Sequence, residues 1–256
     1  MRGITHVLRS ESLERTMEHR VFGGRGKICL AFPSQGGRYW DFENFGMAET
    51  IMPWVEAGML QLVLVDSIDN ETWVATGEEH YRICQHERWF NYVIDELLPE
   101  LLRDNPEGGP AMTCGTSTGA FHAANFFFRR PDLFDATICL SGTYTADYYI
   151  PHYQDPLTYD NSPLDFLPNM SQDHEWMGLY RRSRLVFCVG RGAWEDKEVA
   201  STHRLDATLA QVGVPAWFDY WGYDVCHDWP WWQKQLPYFM DYQLGAPEAA
   251  DTEDDD

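Results

Sequence analysis

Apolar residues occur along this chain in short continuous runs that alternate with segments of helical periodicity. The continuous runs cover residues 27–32, 60–65, 111–114, 136–140, 185–189 and 216–221. Runs of this kind are typical of parallel strands that are buried on both faces of a sheet. Helical periodicity is found at residues 47–57, 78–103, 120–130, 197–211 and 229–244. This alternation predicts an α/β fold with a mostly parallel central sheet and helices on both faces.

Two segments depart from the alternation. Residues 5–9 and 16–23 have the pattern of two strands, and no helical segment separates them. They predict an N-terminal antiparallel hairpin. Residues 142–182 lose their periodicity and are rich in Tyr, Pro, Asp and Asn, which predicts a lid-like excursion over the rim of the sheet rather than a part of the core. We therefore expect a single domain over residues 1–245, followed by an acidic tail at 246–256 that is predicted to be disordered.

Composition and charge narrow the class of protein. The chain has 256 residues, of which 44% are apolar, and its formal net charge is -21. Such a field repels phosphate backbones and anionic membranes, so we expect neither a nucleic-acid partner nor a membrane partner. The N-terminus lacks the apolar core of a signal peptide, which predicts a cytoplasmic protein. The six cysteines lie far apart and never form C-x-x-C, so they predict buried free thiols rather than a zinc ribbon or a disulfide framework.

The pentapeptide Gly-Thr-Ser-Thr-Gly at residues 115–119 carries the strongest chemical signal. It has the form G-x-S-x-G and lies between an apolar strand and a helical segment. A sharp turn in this context lifts the hydroxyl of Ser117 above the sheet edge, where it can act as a nucleophile. Glycines on either side of it allow close approach to adjacent strands. A plain strand-to-helix turn with Ser117 as the N-cap is the alternative interpretation.

A serine nucleophile requires a base and an acid that follow it along the chain. His227 lies in the loop after the last predicted strand, where a general base can reach Ser117. The preceding strand is followed by Glu195 and Asp196, either of which could orient the imidazole. We favour Asp196, with Glu195 as the alternative acid and Asp228 as a weaker third candidate.

The same sheet edge predicts the oxyanion hole and the substrate pocket. The backbone N–H groups of Thr118, directly after the nucleophile, and of Gln35, in the glycine-rich loop after residues 27–32, are the expected oxyanion donors. Other segments near this edge contribute pocket walls. The predicted pocket residues are Trp40, Asp69, Trp73, Tyr148 and Tyr149.

Other candidate sites are weaker. His80 and His86 are six residues apart on a predicted helix and do not share a face, so we expect no metal site from this pair. Neither the dinucleotide fingerprint nor the P-loop motif is present in the sequence, and we expect no cofactor.

Four segments of this chain together resemble the esterase D-like branch of the α/β-hydrolase fold. They are residues 32–37, 115–125 with 130–134, 192–196 and 227–232. The resemblance runs from about residue 5 to residue 244 and implies the α/β-hydrolase fold and activity on carboxylic esters, thioesters and related acyl bonds. It also implies Ser117 and His227 as nucleophile and base. The chain departs from the common pattern at Thr118, where methionine is usual, and in a longer acid loop that leaves Asp196 and Glu195 unseparated.

These observations predict a serine carboxylic-ester hydrolase that works through an acyl-enzyme on a small-molecule ester. The alternatives are an acyltransferase on the same fold and a catalytically silent binding module. The sequence leaves the oligomeric state open, with a homo-oligomer as one alternative.

Overall fold

The computed structural model describes residues 1–247, so the predicted disordered tail lies outside the described residues from residue 248 onward. Eight strands form one sheet in the order β1-β2-β4-β3-β5-β6-β7-β8. The strands are β1 Ile4–Ser10, β2 Arg15–Phe22, β3 Lys27–Phe32, β4 Leu60–Val65, β5 Ala111–Thr116, β6 Phe134–Leu140, β7 Arg184–Val189 and β8 Trp217–Tyr220. β2 pairs antiparallel with both β1 and β4, and the remaining pairs are parallel. The predicted parallel sheet and N-terminal hairpin are confirmed.

Alternate residues of the inner strands enter two separate hydrophobic cores, one on each face of the sheet. Leu30 of β3 faces one core, and its neighbour Ala31 faces the other. This burial on both sides explains why the strands read as continuous apolar runs. The helices are α1 Asp41–Asn44, α2 Met47–Thr50, α3 Met52–Glu56, α4 Glu79–Asn91, α5 Leu98–Asp104, α6 Thr118–Arg129, α7 Pro156–Asp160, α8 Pro163–Phe166, α9 Glu175–Arg182, α10 Asp196–Val212 and α11 Trp229–Leu244. α1 to α3 and α11 cover one face, while α4 to α6 and α8 to α10 contribute to the core on the other.

Two predicted helices are interrupted. The helix predicted at residues 47–57 is divided into α2 and α3 at Ile51, whose φ of -114° is not helical, just before Pro53 enters the first turn of α3. The helix predicted at residues 78–103 contains a wide π-helical turn at Tyr92–Leu97. This turn precedes Pro99, which cannot donate the backbone hydrogen bond that a regular helix requires.

The irregular segment at residues 142–182 contains three short helices, α7, α8 and α9, and it also contributes to the core. Tyr144, Leu167 and Tyr180 are fully buried in it. The expectation that this segment lies outside the core is therefore wrong. Its aromatic and leucine side chains pack inward although their spacing follows no single period. No helix among residues 1–247 has the length and apolar character needed to cross a bilayer.

Candidate active site

Ser117 lies at a strained turn between β5 and α6. Its φ of 56° and ψ of -121° are values that a non-glycine residue rarely adopts. A Cβ at Gly115 would collide with the carbonyl of Gly119, and a Cβ at Gly119 would collide with the carbonyl of Phe32. Both glycines are therefore required by close backbone approach, and the turn holds the serine hydroxyl at the carboxyl end of the sheet.

The imidazole of His227 contacts this hydroxyl. His227 lies on the loop between β8 and α11, and its Nε2 lies 2.9 Å from Ser117 Oγ. The loop is fixed by the backbone, because His227 N–H donates to the Ala193 carbonyl at 3.0 Å and Gly192 N–H donates to the Val225 carbonyl at 2.8 Å. The loops that follow the neighbouring strands β7 and β8 are thus joined by backbone hydrogen bonds at His227.

Glu195, and not the favoured Asp196, contacts the other side of the imidazole. Its Oε2 lies 3.2 Å from His227 Nδ1, and its side chain is 1% exposed. Asp196 is exposed and is the first residue of α10. Trp194, whose φ is 69°, directly precedes Glu195 in the turn that leads into α10. Asp228, the third candidate, accepts a hydrogen bond from Trp229 N–H and caps α11.

Three further residues at this site were not predicted. Ser141 donates from Oγ to Glu195 Oε1 at 2.6 Å and accepts from Trp232 Nε1 at 3.0 Å. Glu198 lies one turn after Glu195 on the helix. One carboxylate oxygen of Glu198, one carboxylate oxygen of Glu195 and one ring nitrogen of His227 all lie within 4.8 Å of one another. Burial raises the pKa of Glu198. The sequence signal for Ser141 was its position at the carboxyl end of β6, and for Glu198 its position on the first turn of α10.

The loop after β3 forms a tight turn beside the end of β5 that leads to Ser117. Gly37 N–H donates to the Ser34 carbonyl at 2.8 Å, and Gly36 adopts a φ of 64° between them. The hydroxyl of Ser34 lies 2.8 Å from Thr116 Oγ1 and fixes the turn to the end of β5. Gln35 is exposed at the tip of the turn. Thr118 is the first residue of α6, a position whose N–H has no intrahelical acceptor.

Asp69 and Trp73 are too buried to line a pocket directly. Asp69 is 2% exposed, and its carboxylate accepts from His122 Nε2 at 2.9 Å and from Gly36 N–H at 3.4 Å. It therefore links the loop after β3 to α6. Trp73 is 1% exposed and donates from Nε1 to His86 Nδ1 at 3.0 Å. Both residues were predicted as pocket walls. The structure instead places them behind the surface residues, where they support the loop after β3, α4 and α6.

Tyr149 lies next to the turn that carries Ser117. Its hydroxyl donates to Thr118 Oγ1 at 3.2 Å, and its ring packs on Trp73 at 5.6 Å between centroids. Burial raises the pKa of Tyr149, which keeps this donor protonated. Tyr148 is 39% exposed and covers the edge of the Tyr149 ring. Trp40 is half-buried under the Arg38 guanidinium, 4.5 Å from the ring centroid.

Comparisons with known proteins identify the fold. Neither the models of protein families nor the curated proteins include a match to this sequence. Among solved structures, an S-formylglutathione hydrolase from Agrobacterium tumefaciens superposes with a TM-score of 0.74 at 10% identity, covering 96% of this chain and 95% of that one. A ferulic acid esterase superposes with a TM-score of 0.73 at 14% identity, covering 95% and 97%. MPT51 (FbpC1) from Mycobacterium tuberculosis gives 0.73 at 13% identity, covering 97% and 100%. The chain therefore has the α/β-hydrolase fold, as the resemblance implied.

Proposed function

We propose that this protein is a serine hydrolase that cleaves carboxylic esters through an acyl-enzyme. The observation that carries the proposal is the hydrogen-bonded chain from Ser117 through His227 to Glu195, with distances of 2.9 and 3.2 Å. A nucleophile in contact with a base that is itself oriented by a buried carboxylate is the arrangement that acyl transfer requires. The esterases among the structural neighbours support the same class of reaction.

In the first half of the proposed reaction, Ser117 Oγ attacks the ester carbonyl while His227 Nε2 takes the hydroxyl proton. Glu195 holds the proton on Nδ1 and stabilises the imidazolium that forms. Ser141 and Trp232 extend this chain, since the Trp232 indole N–H donates to Ser141 Oγ and the Ser141 hydroxyl donates to the Glu195 carboxylate. We assign the developing oxyanion to the N–H groups of Thr118 and Gln35.

In the second half, His227 returns its proton to the leaving alcohol, and the alcohol departs. Water then attacks the acyl-enzyme while His227 takes a water proton. The bond between the acyl carbon and Ser117 Oγ breaks, His227 gives that proton to Ser117 Oγ, and the carboxylic acid is released. An acyltransferase would differ only in that a second alcohol replaces water at this step.

A series of p-nitrophenyl esters of increasing acyl length, combined with intact-mass detection of the acyl adduct, tests the proposal. We expect turnover of some members and an adduct of one acyl group per chain. An added alcohol that appears in the product as a new ester would assign transfer instead of hydrolysis. Complete absence of adduct and turnover would favour a silent binding module.

Tyr148 and Tyr149 are proposed to form the wall of the acyl site. We expect Tyr148→Ala and Tyr149→Phe to change the relative kcat/KM among neutral esters by about 1 to 3 kcal/mol, the range typical of a pocket contact. Tyr149→Phe tests the hydroxyl that contacts Thr118. If both variants change the rates of all esters by one common factor, the two tyrosines support the fold and do not contact the acyl group.

Asp69 is proposed to position the oxyanion loop through Gly36. We expect Asp69→Ala to lower kcat about ten- to a hundredfold, because a displaced oxyanion donor weakens stabilisation of the transition state. Asp69→Asn should retain most of the activity. The amide oxygen can accept from Gly36, and its NH2 group can donate to His122 Nε2 once the ring proton moves to Nδ1, which has no hydrogen-bond partner among residues 1–247. Steady-state kinetics beside a measured free energy of unfolding would check this, and equal losses in both variants would contradict it.

A further inference from the structure

A thiol, an imidazole and a carboxylate form a second hydrogen-bonded chain that the proposed reaction does not use. His80 and Cys84 are four residues apart on α4 and therefore lie on the same helix face. Cys84 Sγ lies 3.5 Å from His80 Nε2, and His80 Nδ1 lies 2.9 Å from Asp155 Oδ2. Asp155 belongs to the segment at residues 142–182, so this chain joins that segment to α4.

The surroundings of Asp155 fix the tautomer of His80. Its Oδ2 also accepts from the Tyr153 hydroxyl at 2.9 Å, and its Oδ1 accepts from Thr158 N–H at 2.7 Å. An ionised carboxylate can only accept, so the proton of a neutral His80 ring lies on Nδ1 and the lone pair on Nε2 faces Cys84. A carboxylate that accepts the remote ring N–H is the usual outer partner of a histidine that binds a metal.

The separation of the two donor atoms matches a metal chelate. Zinc binds imidazole nitrogen at about 2.0 Å and thiolate sulfur at about 2.3 Å, and a tetrahedral angle between these bonds places the two atoms about 3.5 Å apart. The observed separation of Cys84 Sγ and His80 Nε2 is 3.5 Å. Loss of the thiol proton is then the only change needed for both atoms to bind one ion. The His80 side chain is 58% exposed, so the position is open to solvent.

We propose that His80 and Cys84 bind one Zn²⁺ ion, with Asp155 as the outer partner of the imidazole and water at the remaining positions. Thiolate and imidazole donors favour zinc over magnesium or calcium. On binding, the Sγ–H bond of Cys84 breaks, the proton passes to the solvent, and sulfur donates its electron pair to the metal. The carboxylate of Glu78, which caps α4 at the His80 N–H, lies beside the site, and together with the net charge of -21 it attracts a cation.

The same three residue types also occur in cysteine nucleophile sites, but the backbone argues against that role here. Cys84 lies in the interior of α4, where the N–H groups are used in helical hydrogen bonds. A nucleophile needs free N–H donors for an oxyanion. The interior of a helix offers none, whereas the N-terminal end of α6 does at Thr118. The zinc site would instead connect α4 to the segment that carries Asp155.

The full-length chain, freed of metal with a chelator, can be titrated with Co²⁺ and then with Zn²⁺ while absorbance is recorded. We expect one equivalent of Co²⁺ to give a thiolate-to-cobalt charge-transfer band, Zn²⁺ to displace it, and one proton to be released per ion bound. Cys84→Ser should abolish the band, and His80→Ala should weaken Zn²⁺ binding at least about tenfold. Asp155→Asn should weaken it about ten- to a hundredfold. Asparagine still caps α7, so this variant keeps the local fold.

His152→Ala, at an exposed histidine in the same segment as Asp155, is the matched control and should bind Zn²⁺ as tightly as the unmodified chain. Two results would overturn the proposal. One is binding that Cys84→Ser and His80→Ala leave unchanged. The other is Zn²⁺ binding that Glu198→Gln weakens, which would assign the metal to the carboxylates around His227. Neither result depends on the proposed ester substrate, because binding is read by absorbance and proton release.

Discussion

Replacing Ser117 with alanine is expected to lower kcat for ester hydrolysis about a millionfold, the scale found when a serine nucleophile is removed from a hydrolase triad. The reason is that Ser117 Oγ is the only hydroxyl found 2.9 Å from His227 Nε2 among the described residues. Covalent labelling by an organophosphonate should disappear in the same variant. Stability should change by less than about 1 kcal/mol, since one hydrogen bond at a partly exposed turn is lost.

Intact-mass spectrometry after labelling, together with thermal unfolding, would check both parts of this expectation. Ser171→Ala, at an exposed serine before α9, is the control and should keep full labelling and turnover. Labelling that persists in Ser117→Ala would assign the nucleophile to another residue. Lost labelling with a large drop in stability would show instead that the turn had rearranged.

The fold was predictable because buried strands and helices require apolar residues at characteristic spacings in the sequence. Strands covered on both faces are mostly apolar, as in Leu60–Val65, where Gln61 is the one polar residue, and the helices that follow such strands have their own period. The breaks at Ile51 and at Tyr92–Leu97 escaped prediction because the apolar period continues through them. The inward packing of Tyr144 escaped for the opposite reason, since its segment has no period although the side chain is fully buried.

The turn at Ser117 and the place of His227 after the last strand were predictable because close backbone approach and chain order restrict the sequence locally. Gly115 and Gly119 have no room for a side chain, and His227 has a fixed place after the last strand. The burial of Asp69 depends on neighbours that are distant in the chain, such as His122. His80 and His86 do not share a helix face, whereas His80 and Cys84, four residues apart on α4, do.

The carboxylate that contacts His227 could not be chosen from sequence because two adjacent carboxylates differ only in the direction of their side chains. Glu195 points inward and is 1% exposed, whereas Asp196 begins α10 and faces solvent. This direction is set at the turn that includes Trp194, whose φ is 69°. A left-handed tryptophan is not readable from a residue pattern, because this conformation is rare for bulky side chains.

We therefore expect Glu195→Gln to lower kcat by about three to four orders of magnitude, comparable with the loss when the triad aspartate of a protease becomes asparagine. The amide places a donor where His227 needs an acceptor, so the imidazole is held in the wrong tautomer. Asp196→Asn is the matched control from the same loop and should stay within about twofold of the unmodified enzyme. Steady-state kinetics of both variants on one ester would check this, and the reverse ranking would reassign the acid to Asp196.

We expect Glu198 to limit the loss of kcat in Glu195→Gln. Its carboxylate lies within 4.8 Å of the Glu195 and His227 donor and acceptor atoms, so it can take over part of the role of the missing acid. We expect Glu198→Gln alone to change kcat by less than about tenfold, because Glu195 keeps its direct contact at 3.2 Å. In the Glu195→Gln background the same change should lower kcat further, by more than it does alone, since contacting residues are not additive. A double variant no slower than the product of the single effects would show that Glu198 gives His227 no support.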